Sequence, residues 1–63
     1  MLIVRALANN KLTLTFGEGR RFIRYGLVFC NGEQVVDTSE TCNSGDILRI
    51  KRKNGPDKRL VVP

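Results

Sequence analysis

The sequence predicts a small α+β domain, in which two N-terminal helices pack on an antiparallel sheet of about four short strands. Apolar residues before Gly26 recur at helical spacing, and those after it alternate with polar residues. Asn31-Gly32 separates two of the alternating segments, as in a tight hairpin. A chain of 63 residues forms at most one domain. Its core is only a few side chains deep, which favours a binding surface over a catalytic cleft.

The two helices are predicted over residues 2–9 and 16–25. The first is indicated by apolar residues on one helical face, at Ile3, Ala6 and Leu7. The second is better signalled, because Thr15 and Glu18 have the spacing of a capping box. Gly26 follows as a left-handed terminator.

The alternating segments predict four strands, at residues 27–30, 33–36, 46–51 and 60–62. Asn31-Gly32 suits the first turn, since both turn residues need positive φ. The stretch 37–45 is polar and rich in Ser, Thr and Asn, which is typical of a loop. Residues 54–57 form the last turn.

The chain is strongly basic, with eleven Lys and Arg against six Asp and Glu and a net charge of +5. This excess favours an anionic partner such as nucleic acid. No apolar run reaches the roughly 20 residues that span a membrane. The first residues lack the charged segment of a signal peptide.

Cys30 and Cys42 are the only cysteines, and the chain has no His. Two sulfur ligands cannot complete a zinc site, so no metal is expected. A single disulfide and two reduced thiols are both compatible with the sequence. Reduced thiols are favoured, with Cys30 as the core residue, and they indicate the cytoplasm or an organellar matrix.

The charges of the second helix are concentrated on one side. At about 100° per residue, Gly19, Phe22, Ile23 and Gly26 fall on one face of the helix. The opposite face carries three arginines, Arg20, Arg21 and Arg24, and no carboxylate. Because guanidinium groups donate paired hydrogen bonds to phosphate oxygens, this face is a candidate phosphate contact. A solvated surface is the alternative.

Other basic residues extend the candidate site. Lys11 precedes the second helix in the connecting turn, and Thr15 begins that helix. A second cluster flanks the last hairpin, at Arg49, Lys51, Arg52 and Lys53. A role in solubility is the alternative for this cluster.

Residues 15–35, TFGEGRRFIRYGLVFCNGEQV, together with Gly45-Asp46, resemble the signature of the RNA-binding domain family named after ribosomal protein S-four. The likeness covers about residues 3–51. Within the family, the chain is most similar to the C-terminal domain of bacterial-type tyrosyl-tRNA synthetases, as a detached domain or a stand-alone relative. It departs from the pattern at Gly19, Phe16, Phe22 and Cys30, where Ala, a basic residue, Leu and Val are usual.

The resemblance implies an S-four-like (alpha-L) fold that binds structured RNA, tRNA or rRNA, through its first two helices and the turn between them. The implied contacts are Lys11, Thr15, Arg20, Arg21 and Arg24. No cofactor or small-molecule substrate is implied, and a larger parent protein is a further partner.

The residues themselves do not indicate an enzyme, since no phosphate-binding glycine loop and no evident catalytic pair is present. The alternative is a protein-interaction or ubiquitin-like carrier module with a basic, solubilising surface. Such carriers end in Gly-Gly, whereas this sequence ends in Val62-Pro63. A domain that docks on a larger protein through its sheet is a third hypothesis.

Overall fold

The computed structural model describes residues 1–63. Two helices, α1 (Ile3–Asn9) and α2 (Phe16–Arg24), precede four strands. The strands are β1 (Val28–Cys30), β2 (Glu33–Gln34), β3 (Ile47–Ile50) and β4 (Lys58–Val61). They form one antiparallel sheet in the order β2-β1-β3-β4. The predicted α+β class, two helices followed by a four-stranded sheet, is confirmed.

The core lies between the helices and one face of the sheet. Its buried hydrophobic residues are Ile3, Val4, Ala6, Leu7, Ile23, Val28, Val35, Cys42, Leu48, Ile50 and Val62. Gly19 is also buried, and it faces Val4 of α1. A Cβ at Gly19 would lie 3.6 Å from the Val4 side chain, an ordinary van der Waals distance, so the packing of α1 on α2 leaves room for a methyl group.

Both ends of α2 are fixed by local hydrogen bonds. The Thr15 hydroxyl accepts from the Glu18 N–H (3.1 Å), and the Glu18 carboxylate accepts from the N–H of Leu14 (3.0 Å). In the usual capping box this carboxylate would accept from the N–H of the capping residue itself, Thr15, whereas here it accepts from the residue before it. At the other end Gly26 has φ 75°, and its N–H and that of Leu27 donate to carbonyls of the last turn. This is a Schellman termination.

The strand limits differ from the predicted limits by one or two residues. β2 ends at Gln34, two residues earlier than predicted. The Val35 N–H still donates to the Val28 carbonyl (2.8 Å), and the Val36 N–H donates to the Glu40 carboxylate (2.8 Å) of the following loop. β4 begins at Lys58, two residues earlier than predicted, because Lys58 pairs with Ile50 in the β3–β4 register.

The start of the chain is held by the loop before β3. The Ile3 N–H donates to the Glu40 carbonyl (3.0 Å), and the Cys42 N–H donates to the Met1 carbonyl (2.8 Å). These bonds place Cys42 beneath α1, where it is 2% exposed, whereas Cys30 is only half-buried. The prediction that Cys30 is the core cysteine is therefore wrong. The error arose because strand alternation favoured Cys30, and no local pattern reveals a loop residue that folds inward.

The two turn motifs of the sequence are joined to each other. Asn31 and Gly32 both have positive φ (52° and 87°), as a tight hairpin requires. The Asn31 amide donates to the Asp46 carboxylate (3.1 Å), and its oxygen accepts from the Ile47 N–H (2.9 Å). The same carboxylate accepts from the Asn43 N–H (2.8 Å). Asp46 thus ties the β1–β2 turn to the loop before β3.

Candidate nucleic-acid interface

The outer face of α2 is a cationic surface formed by Arg20, Arg21 and Arg24, which we call the arginine face. All three side chains are exposed, while Ile23 of the same helix is buried. The one salt bridge in the structure joins Arg49 to Asp57, so none of these three guanidiniums is paired with a carboxylate. Arg21 and Arg24 lie in the last turn, where the helix dipole favours positive charge.

The turn between the helices adds Lys11 and Thr15 at the start of α2. Lys11 is exposed and has φ 64°, in the left-handed region that favours glycine. The Thr15 hydroxyl accepts the helix-capping hydrogen bond from Glu18, so its first role is structural. Lys11 thus follows α1 and Thr15 caps the first turn of α2, whereas Arg21 and Arg24 lie in the last turn of α2.

The basic residues after β3 lie along a separate groove of about 540 Å³, between the start of α2 and the β3–β4 hairpin. Its cationic residues are Lys51, Arg52, Lys53 and Lys58. Its apolar residues are Leu14, Phe22, Leu27 and Ile50. We call this the hairpin groove. It shares Phe22 and Glu18 with α2, so it adjoins the helix that carries the arginine face.

Arg49 is in a different position from the rest of the predicted site. Its guanidinium lies over the Phe29 ring, 4.9 Å from the centroid, and forms the salt bridge with Asp57 at 3.7 Å. Both contacts are on the sheet face turned away from the helices. β3 ends at Ile50, so strand alternation does not continue to Lys51, which lines the hairpin groove.

Lys58 and Leu14 were not among the predicted site residues. The Lys58 ammonium donates to the Leu12 carbonyl (3.3 Å) across 46 positions of sequence. This bond brings the last hairpin against the turn between the helices. No local signal gave this register, because a turn at residues 54–57 would pair Lys58 with Lys53, whereas Lys58 pairs with Ile50. Leu14 is 89% exposed, and nothing in its local sequence pattern distinguishes it from a core leucine.

The thiols offer little nucleophilic chemistry. Burial raises the pKa of Cys42, and burial together with the nearby Asp46 carboxylate raises that of Cys30. Both therefore stay protonated at neutral pH, and the thiolate is the reactive form. No group of three or more Cys, Asp or Glu side chains is placed to hold a metal ion. No helix has the length and apolar character needed to cross a membrane.

Comparison of the chain with protein-family models, with curated proteins and with solved structures finds no significant match.

Proposed function

We propose that this protein binds structured RNA through the arginine face of α2. The resemblance to the S-four-like family suggests tRNA or rRNA, as in the C-terminal domain of tyrosyl-tRNA synthetases. Such a role belongs to the cytoplasm or to an organellar matrix, where translation takes place. A larger parent protein is a further partner on this proposal.

The observation that carries the proposal is the set of three exposed guanidiniums on one helix face with no carboxylate partner. A guanidinium can donate two parallel hydrogen bonds to one phosphate group, which makes arginine well suited to this ligand. The opposite face of α2 buries Gly19 and Ile23 against the core, which fixes the rotation of the helix about its own axis. The three charges are held on a rigid support, which suits the fixed phosphate spacing of an RNA duplex.

Lys11 extends the cationic surface toward the start of α2. Its exposed ammonium belongs to the turn that leads into α2, whose first N–H groups give a positive potential of their own. Double-helical RNA is recognised mainly by its shape, phosphates and 2′-hydroxyls, so no base-reading side chain is required on this face.

The test is a titration of the protein with a fully paired RNA hairpin at several salt concentrations. If about five cations contact phosphate, log K falls with log salt with a slope of about −3.5 to −4.5. The variant Arg20→Gln/Arg21→Gln/Arg24→Gln loses three of these contacts, so we expect its slope to be less negative by about 2.1 to 2.7.

The matched control is Arg59→Glu/Ser44→Glu, which lowers the net charge of +5 by three, as the arginine variant does. Arg59 pairs with Arg49 on β4, and Ser44 lies in an exposed loop. We expect the control to retain the larger slope. Equal losses in the two variants would show that only net charge matters. Unchanged binding by the arginine variant would exclude the arginine face as the site.

A further inference from the structure

The hairpin groove combines an apolar floor with a cationic edge. Leu14 leaves most of its side chain in water, and Phe22 and Leu27 are only half-buried. Burial of a Leu or Phe side chain is favourable, so this uncovered apolar surface favours a ligand that covers it. The volume of about 540 Å³ falls among those of small-molecule sites, about 300–1,000 Å³.

The charge of the groove selects an anion. Four cations line it, and Glu18 is its only carboxylate. That carboxylate already accepts the Leu14 N–H. The neighbouring Asp57 is also engaged, because its oxygens accept from the Arg52 N–H (3.3 Å) and pair with Arg49. Lys58 uses one donor on the Leu12 carbonyl, and an ammonium has three.

A ligand that meets both requirements has a flat apolar body joined to an anion, as a nucleotide has. We infer that the hairpin groove receives one unpaired nucleotide of the RNA, with the base on Phe22 and Leu14 and the phosphate on the cations of the hairpin. A paired nucleotide cannot enter, because its base is held in the stack. The inference rests on the proposed function, and it narrows the RNA to one with an unpaired nucleotide beside a duplex.

The position of the groove supports this assignment. Phe22 follows Arg21 on α2 and faces the groove, while Arg21 faces solvent on the arginine face. A duplex bound at the arginine face would therefore lie next to the groove, since Arg21 and Phe22 are about 100° apart around the helix. Unpaired bases are commonly recognised by stacking on aromatic side chains beside a cationic path for the backbone.

The experiment compares two RNA hairpins with the same stem, one fully paired and one with a single-nucleotide bulge. Stacking of one base adds about 5- to 150-fold in affinity. We therefore expect the wild-type protein to bind the bulged hairpin at least about fivefold more tightly. In the variant Leu14→Ser/Arg52→Gln/Lys53→Gln the preference should disappear, while the paired hairpin still binds. All three side chains are exposed, so the fold is retained.

The matched control is Val36→Ser/Arg59→Glu, which also removes an exposed aliphatic side chain and two units of positive charge, at positions that do not line the groove. It should keep the preference for the bulge. Equal affinity of the wild type for both hairpins, or a preference that survives in the groove variant, would overturn the inference while leaving RNA binding intact. Failure to bind either hairpin would overturn the proposed function itself.

Two further ligands test whether the groove binds RNA, a free nucleotide or a protein. Free AMP should bind at least about a hundredfold more weakly than the bulged hairpin, because it lacks the duplex contacts. AMP that binds as tightly as the RNA and is lost in the groove variant would make the groove a small-molecule site. Tight binding of an acidic, leucine-containing peptide at the groove would assign it to a protein partner.

Discussion

At the scale of single residues, Lys11 is the clearest departure from what the fold alone favours. Its φ of 64° closes α1, where its N–H and that of Leu12 donate to the carbonyls of Ala8 and Leu7. Glycine fits this conformation best, and a residue with a Cβ costs about 1–2 kcal/mol there. A strained residue in a candidate site points to a functional reason for its side chain.

Replacement of Lys11 by glycine should therefore make the fold more stable and weaken the binding of RNA. Lys11→Gly should raise the free energy of unfolding by about 0.5–1 kcal/mol, after the greater flexibility of glycine in the unfolded chain is allowed for. It should weaken binding to the paired RNA hairpin by about two- to fivefold, as the loss of one exposed phosphate contact would. Urea unfolding and an RNA titration measure the two effects. Lys11→Arg, which keeps the charge, should preserve binding, and a loss of affinity in that variant would contradict the charge-based role.

Gly19 within α2 and Gly26 just after it give a second prediction at this scale, because replacement by alanine should have opposite effects at the two positions. In Gly19→Ala the new Cβ would meet Val4 at 3.6 Å, an ordinary contact, so the better helix propensity should raise stability by about 0.5–1 kcal/mol. In Gly26→Ala the residue would have φ 75° and its Cβ would lie 2.5 Å from the Gln34 amide nitrogen. That variant should lose at least about 1 kcal/mol. Thermal unfolding of both variants checks this, and a stabilised Gly26→Ala would contradict it.

At the scale of elements, α2 was the most predictable part of the molecule because its signals are local. Thr15, Glu18 and Gly26 act within one turn of their partners, and the arginine face follows from helical geometry alone. The hairpin at Asn31-Gly32 was equally evident, since its turn residues set the register.

The hairpin groove could not be predicted in the same way because it depends on long-range packing. The Lys58 bond to the Leu12 carbonyl joins the last strand to the first turn, and no sequence periodicity contains that contact. For the same reason Arg49 and Lys51, two positions apart, were assigned to one basic cluster although the end of β3 separates them. The sequence thus identified the cations but not which of them lie together.

At the scale of the whole molecule, the charges are arranged around two sides of α2. The arginine face lies on its solvent side, and the hairpin groove lies on its flank against the sheet. The sheet face beyond them carries Arg49, which is held by Phe29 and Asp57, and its strand neighbour Arg59, which is exposed. On the proposed function, we expect RNA to lie along the two sides of α2, where the cations are not paired with carboxylates.

The stability of the whole molecule should respond to acid through Asp46, which links the β1–β2 turn to the loop before β3. The hydrogen bonds from the Asn43 N–H and the Asn31 amide hold the pKa of Asp46 below its ordinary value of 3.8. A carboxyl whose pKa is lowered by folding stabilises the native state above its unfolded pKa, and this stabilisation is lost as pH falls through the folded pKa.

In Asp46→Asn the side chain is neutral at every pH. The variant should therefore unfold at lower urea concentration than the wild type at pH 5–7, and the difference should shrink as the pH falls below 3.8 and Asp46 takes up a proton. Urea midpoints across this range measure it. A difference that is equally large at pH 2 would mean that the amide disturbs the loops sterically and that the charge of Asp46 is not what joins them.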